Sequence, residues 1–237
     1  MRSVYLLTLR QMSGRWRLLI MTVLASLPVF LTMLVLRSRS APDVAEFEVI
    51  VFSTMLAGSI TPLVVLAIAT AAFANEIEDR TLANLTLSPI PRWRIVVPKL
   101  LATITVAGPF IAASAFTTSH VAFLADARAT IAVTVSALAG VILYSSAFVW
   151  LGLVTTQAIG IGLLYIVLWE GFFSGFVSGV RLLSIRHYAI ALMHGLDERR
   201  FAGADELGFG AVIVISLIVF AGFLLLSIRR LRRMDVP

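Results

Sequence analysis

One acidic side chain, Glu170, lies well inside an apolar stretch of this chain, in the sequence LYIVLWEGFF. Burying a carboxylate in a bilayer is costly, so an ionisable residue at such a position is a candidate for function. It can contact a substrate or serve as a proton-sensitive gate. The structural alternative is a carboxyl that is hydrogen-bonded, or paired with an arginine, near a break in the helix. The sequence leaves both roles open.

Metal and catalytic chemistry have little support. His187 and His194 would lie about 10 Å apart on a helix, from the rise of 1.5 Å per residue, which is too far for one zinc ion. The chain has no cysteine, which excludes disulfides, thiol catalysis and cysteine-ligated metals. No serine, histidine and acid occur with the local spacing of a catalytic triad. We therefore expect no metal, no cofactor and no catalytic residue in this chain.

The composition is that of a membrane protein. Of the 237 residues, 59% are hydrophobic and 14% are charged, and the mean hydropathy is +0.99. A water-soluble domain of this size would have too little polar surface to cover its core. The net charge of +6 could suit nucleic acid, but no module with clustered base-reading residues is present. The expected partner is a lipid bilayer and not a nucleic acid.

Six stretches have the roughly 20 apolar residues that a helix needs to cross a bilayer. They are 18–36, 49–74, 95–124, 130–155, 157–180 and 209–228. Most of the basic residues fall between them on one side if both termini are cytoplasmic, as the positive-inside rule favours. The sequence thus predicts an all-α integral membrane protein with six transmembrane helices in a single domain, 1–237. We expect it in a cell membrane, that of a prokaryote.

Two further segments have helical character. In 1–17, Tyr5, Leu9, Met12 and Trp16 fall on one helical face, which predicts an interfacial helix. The alternative is an ordinary extension of the first span. The segment 181–208 mixes apolar and charged residues, so it is either an extracellular loop or a re-entrant element before the last span.

The segment 75–94 is charged in an otherwise apolar region. Asn75 can cap a helix whose first turn holds Glu76, Glu78 and Asp79, where carboxylates favour the positive end of the helix dipole. Pro89 ends this helix by Ser88. Basic residues and Trp93 then suit the headgroup layer. On spacing alone, a solvated loop that only sets topology explains the segment equally well.

The same segment resembles the first cytoplasmic loop of ABC-2 type transporter permeases. The matching residues are Glu76, Arg80-Thr81-Leu82, Leu85, Ser88-Pro89, Pro91-Arg92 and Lys99. The six spans and the N-terminal helix extend the resemblance over nearly the whole chain. Arg80 and Pro98 depart from the family pattern, which usually has glycine at both positions.

The resemblance implies that 76–88 is a coupling helix that sits in a cleft of an ATPase. The implied docking residues are Glu76, Glu78, Arg80, Thr81, Leu82 and Leu85. It also implies an assembly of two ATPase copies and two permease chains, identical or related. The chain has no phosphate-binding loop and Lys99 is its only lysine, so ATP and Mg²⁺ belong to the partner ATPase and this chain is not an enzyme.

Small residues recur every four positions in the fifth predicted span, at Gly171, Gly175 and Gly179. Such a stripe allows close helix contact. The resemblance implies contact across a permease dimer, and packing within the chain is the alternative. Ala132, Ser136 and Gly140 form a weaker stripe in the fourth span.

The expected function is therefore that of a permease subunit exporting a hydrophobic or amphipathic substrate. The alternatives are a membrane scaffold that holds an ATPase without transport and an ion-coupled secondary transporter that uses Glu170.

Overall fold

The computed structural model describes residues 2–37, 47–73, 91–124, 126–173, 184–201 and 208–233. These residues form helices and a few turns, and none of them is in a strand. The all-α prediction is confirmed for this part of the chain.

Eight helices are described, and we number them in chain order. They are α1 Arg2–Met12, α2 Arg15–Arg37, α3 Glu48–Phe73, α4 Trp93–Ala122, α5 Ala127–Val154, α6 Ala158–Leu164 with its continuation Tyr165–Phe173, α7 Ile185–Leu196 and α8 Phe209–Arg233. Of these described helices, five are long and apolar enough to cross a membrane: α2, α3, α4, α5 and α8. Five helices of this length and hydropathy are typical of a membrane protein.

The fifth predicted span, 157–180, is only partly described. It corresponds to α6, which is shorter than the five long helices and is described as far as Phe173. Residues 174–180 of the prediction lie outside the described residues. The chain is next described at Ser184, where α7 begins within the segment predicted as a loop or re-entrant element.

Parts of α3 and α6 are π-helical, with hydrogen bonds from residue i to i+5. These parts are Glu48–Ile60 in α3 and Tyr165–Phe173 in α6, and the two helices contact each other there. The sequence patterns did not predict these π-helical parts. Short π-helical turns occur frequently at functional sites because they displace side chains from the regular helical register.

The N-terminal helix is shorter than predicted. It ends at Met12, and a new helix, α2, begins at Arg15. Met12 is buried and the Tyr5 hydroxyl donates to Thr105 Oγ1 of α4 over 3.1 Å. Trp16 lies beyond the break and is 75% exposed, so the prediction that it shares the face of Tyr5 and Met12 is wrong. The helical phase is lost at Ser13 and Gly14, since glycine is a poor helix former.

The core of the bundle lies around α5, which contacts α3, α4, α7 and α8. Small residues let these helices approach closely. A Cβ added at Gly140 would lie 3.6 Å from Thr61 Cγ2 and 3.7 Å from Ala189 Cβ, and one at Gly152 would lie 2.9 Å from the Thr70 carbonyl oxygen. Ala132 and Ser136 are buried. The small residues of the fourth predicted span therefore pack within the chain.

Contacts define two ends of the bundle. At the Asp126 end, the beginnings of α3 and α5 meet the end of α7, through His194 with Glu48 and Arg128 with Asp197. At the Lys99 end, the last residues of α3 meet the beginning of α4. Helices α3 and α5 thus run in the same direction and α4 runs back between the two ends.

Candidate functional site

Glu170 lies in the π-helical part of α6 and is completely buried. Its Oε1 accepts hydrogen bonds from the Tyr165 hydroxyl at 2.9 Å and from the Ile185 N–H at 3.1 Å. Its Oε2 accepts from the Ser184 hydroxyl. Ser184 is also the N-cap of α7, because its oxygen accepts from the His187 N–H at 3.3 Å. The carboxylate therefore holds the first turn of α7 against α6.

Arg186, in the first turn of α7, connects the two π-helical segments. Its Nη1 donates to the Glu170 carbonyl oxygen at 3.2 Å, and its Nη2 donates to Ser53 Oγ at 2.7 Å and Thr54 Oγ1 at 3.4 Å. Gly58 makes room for this side chain, since a Cβ there would lie 3.1 Å from Arg186 Cδ. One guanidinium thus joins α3, α6 and α7, and we call these groups, with Glu170 and Ser184, the Arg186 cluster.

The Arg186 cluster is chemically suited to holding helices together. A buried carboxylate is tolerated when donors and a nearby cation compensate its lost hydration. Glu170 has three donors from its own chain and Arg186 bonds the backbone of the same residue. This arrangement matches the structural alternative for Glu170. A role in substrate contact or gating stays a prediction.

Gly171 follows Glu170 and faces outward. It is exposed, and a Cβ there would have only the Ile166 carbonyl oxygen, at 3.6 Å, within 4 Å among the described atoms. Gly175 and Gly179 lie outside the described residues. The contact of this glycine stripe with a second permease chain stays a prediction.

Lys99 is buried at the other end of α3. Its side chain is inaccessible, Nζ donates to the Ala72 carbonyl oxygen, and Nζ lies 4.2 Å from the centroid of the Phe73 ring. A cation is favoured there by the negative end of the helix dipole and by the aromatic face. Because Lys99 belongs to α4, it fastens the end of α3 to the beginning of α4. We call this contact the Lys99 lock.

The charged segment between those helices is described only at its end. Glu76, Glu78, Arg80, Thr81, Leu82 and Leu85 all lie outside the described residues. Trp93 is 42% exposed and Arg94 lies over its ring at 5.5 Å, so both side chains reach the surface at the Lys99 end. The docking role of 75–94 stays a prediction, but the Lys99 lock is adjacent to both of its ends.

His194 contacts an acidic side chain and an aromatic ring. His194 Nε2 lies 2.5 Å from Glu48 Oε1, and its ring stacks on Phe201. In the part of the chain that the structure describes, no group of three His, Cys, Asp or Glu residues is arranged to hold a metal ion. The polar contact between His194 and Glu48 ties the end of α7 to the beginning of α3.

A second ion pair closes the Asp126 end. Asp126 caps α5 by accepting from the Arg128 N–H at 3.0 Å, and it pairs with Arg200 at 2.7 Å. Desolvation acts to raise the pKa of the Asp126 carboxyl, but the hydrogen bonds from the Ala129 N–H, Arg200 and the Arg128 N–H outweigh it, so its pKa is lowered. The segment 194–201 is therefore attached to both α3 and α5.

A cavity of about 410 Å³ lies between α5, α6, α7 and α8. Six aromatic residues line it: Phe148, Trp150, Tyr165, Trp169, Tyr188 and Phe223. No pattern in the sequence predicted this cavity. The only local signal was the four-residue spacing of Ile161, Tyr165 and Trp169, which places them on one face of α6.

Comparison with protein-family models gives no match for this chain, and comparison with curated proteins gives none either.

Proposed function

We propose that this chain is the membrane-spanning permease subunit of an ATP-driven exporter, and that a separate ATPase subunit docks on the segment 75–94. The observation that carries the proposal is the Lys99 lock, which joins Ala72 and Phe73 of α3 to α4. The segment 75–94 connects α3 to α4, and the Lys99 lock bonds these two helices to each other next to that connection. A force that a partner applies to the segment would therefore displace α3 and α4 together. A loop that only sets topology needs no such fastening.

The Arg186 cluster extends this mechanical connection. Helix α3 runs from the Lys99 lock at Ala72 to Ser53, where Arg186 binds it together with α6 and α7. Motion of the docking segment therefore reaches α6 and α7, two of the four helices that line the aromatic cavity. The proposed cargo is hydrophobic or amphipathic, the partner ATPase holds ATP and Mg²⁺, and a second permease chain completes the assembly.

Purification tests the docking. The chain is extracted from its native membrane in mild detergent, cross-linked, and its partners are quantified by mass spectrometry. We expect one ATPase copy per permease chain, lost in the double variant Leu82→Asp and Leu85→Asp. Leu124→Asp is the control, because Leu124 is 93% exposed at the Asp126 end. If no ATPase co-purifies, or if the double variant retains it, the proposal is wrong.

Reconstituted vesicles test the lock. Lys99→Met keeps an apolar chain of similar length but removes the bond to Ala72, which as a hydrogen bond to a charged group contributes about 1.5–3 kcal/mol. We expect the ATPase to stay bound and active while ATP-dependent flux falls. Arg199→Met, which removes an exposed cation at the Asp126 end, is the control. A bound ATPase with no ATP-dependent flux of any tested cargo by the unmodified chain would favour the scaffold.

A further inference from the structure

The aromatic cavity has a buried floor and exposed sides. Ala147 and Phe148 of α5, at the floor, are 9% and 2% exposed, whereas Ile161 of α6, at one side, is 44% exposed. Val219 and Phe223 of α8 form the facing side and are partly exposed. The cavity therefore opens between α6 and α8.

The surface around this opening is apolar. Leu164 of α6 is 59% exposed and Ile218 of α8 is 64% exposed, so both helices present apolar side chains on their outer faces, as lipid-facing helices do. An apolar cavity offers water too few hydrogen-bond partners to be hydrated. Its volume of about 410 Å³ lies within the range of small-molecule sites. A hydrocarbon chain can enter from the side without crossing water.

Two cations lie on the cavity side of α8, and Arg230 is the nearer to the cavity. Val219, Phe223 and Arg230 are separated by four and seven residues, which places them on one face of this α-helix, and Arg233 lies at the edge of that face, about one turn beyond Arg230. Arg230 is exposed and about 10 Å further along the helix than Phe223. Arg232 is nine residues from Phe223, which is two and a half turns, so it lies on the opposite face. The cavity is thus lined by apolar side chains, and basic side chains lie beyond the end of the cavity that is nearer to the C-terminal end of α8.

We propose that this cavity binds one acyl chain of an anionic phospholipid from the leaflet at the Arg233 end of α8, with the lipid phosphate held by Arg230. The match is one of charge and polarity: the apolar cavity takes the tail, and the arginine takes the phosphate by charge-assisted hydrogen bonds. The inference requires only that α6 and α8 face a bilayer. It does not depend on an ATPase or on the nature of the cargo.

Tryptophan fluorescence tests the site in vesicles. Trp16→Phe and Trp93→Phe together leave Trp150 and Trp169, both of which line the cavity. Phospholipids with brominated acyl chains quench tryptophan on contact. We compare brominated phosphatidylglycerol with brominated phosphatidylcholine at equal mole fractions. One basic residue near a membrane surface favours anionic lipid about fivefold, and we expect a preference of that size in quenching.

Two matched variants locate the headgroup contact. Arg230→Gln should remove the preference for the anionic lipid, and Arg232→Gln, with the same loss of charge on the opposite face, should keep it. Equal quenching by the two lipids, or equal losses in the two variants, would overturn the proposal.

A third pair locates the acyl chain. Ala147→Phe fills the cavity from its floor and should reduce quenching by both lipids, whereas Ile142→Phe, at an exposed position of α5, should not. Unchanged quenching in a folded Ala147→Phe variant would place the lipid outside the cavity and contradict the proposal. If the Ala147→Phe variant does not fold, the quenching measured in the Arg230→Gln and Arg232→Gln variants decides whether the cavity binds the lipid.

Discussion

Glu170 and Lys99 are both completely buried, and each holds two helices together. Glu170 binds the first turn of α7, and Lys99 binds the last turn of α3. A buried charge is costly unless its hydrogen bonds are satisfied, so removing one partner should be strongly destabilising. Both residues therefore belong first to the architecture of the bundle, and any role in transport acts through the helices that they join.

Glu170→Gln should lower the free energy of unfolding by about 2–3 kcal/mol, the usual contribution of hydrogen bonds to a charged group. The amide nitrogen cannot accept a bond from Ser184 or Tyr165. Thermal unfolding in detergent measures the effect, and Glu198→Gln, at an exposed position, is the control. A variant that keeps its stability but loses flux would instead indicate a substrate contact or a gate.

At the scale of the elements, α7 is held at both of its ends. Arg186 binds it to α3 and α6 in its first turn, and His194 pairs with Glu48 at its last turn. The close approach of Arg186 to Gly58 shows how little space separates α7 from the π-helical part of α3. Helices α3 and α7 should therefore move together.

Gly58→Ala tests that packing. The added Cβ would lie 3.1 Å from both Arg186 Cδ and the Ser53 carbonyl oxygen, so Arg186 must shift away from Ser53. We expect a loss of about 1–2 kcal/mol in the free energy of unfolding, since overpacking typically costs 1–3 kcal/mol. Gly160→Ala, with nothing described within 4 Å, should be neutral or stabilising because alanine is the better helix former. Equal effects of the two changes would contradict this account.

The Asp126 end should make a contribution to stability that depends on pH. The pKa of the Asp126 carboxyl is lowered in the folded chain, so its contribution is present above the unfolded value of about 3.9 and is lost as the pH falls through the folded pKa. Arg200→Gln removes one of the groups that lower this pKa, so the folded pKa moves closer to the unfolded one and the loss of stability on acidification should be smaller. Melting temperatures measured down to about pH 2 test the difference, and identical profiles would contradict it.

For the whole molecule, the long helices differ greatly in burial. Within the most apolar 18-residue stretch of each helix, 22% of α2 and 11% of α8 is buried, whereas 61% of α4 and 67% of α5 is buried. The outer helices must be covered by lipid or by another chain, because water cannot solvate so much apolar surface. A second permease chain at the exposed Gly171 is the proposed partner on the α6 side.

Gly171→Leu tests that assembly. Among the described atoms, a Cβ at Gly171 meets only its own helix, so the monomer should keep its melting temperature while dimers are lost. Gly160→Leu, on the same helix and also exposed, is the control. Light scattering of the detergent-solubilised protein measures the mass. Dimers that survive in the Gly171 variant would exclude this face as the contact.

The sequence alone determined the membrane class and the bounds of most spans. A bilayer demands about 20 apolar residues per helix, and that demand is local, so α2, α3, α4, α5 and α8 lie within a few residues of their predicted bounds. The phase of α1 could be predicted only as far as Gly14, where the regular helix breaks.

The tertiary structure alone decided which polar groups meet. Arg186 and Ser53 are 133 residues apart, and Lys99 and Ala72 are 27 apart, so no local periodicity could pair them. The same holds for the cavity, whose sides come from four helices. Helical patterns specify which face of a segment is apolar, whereas its neighbour is decided by the packing of all segments together. That is why Glu170 could be singled out from the sequence, but its attachment to the first turn of α7 could not.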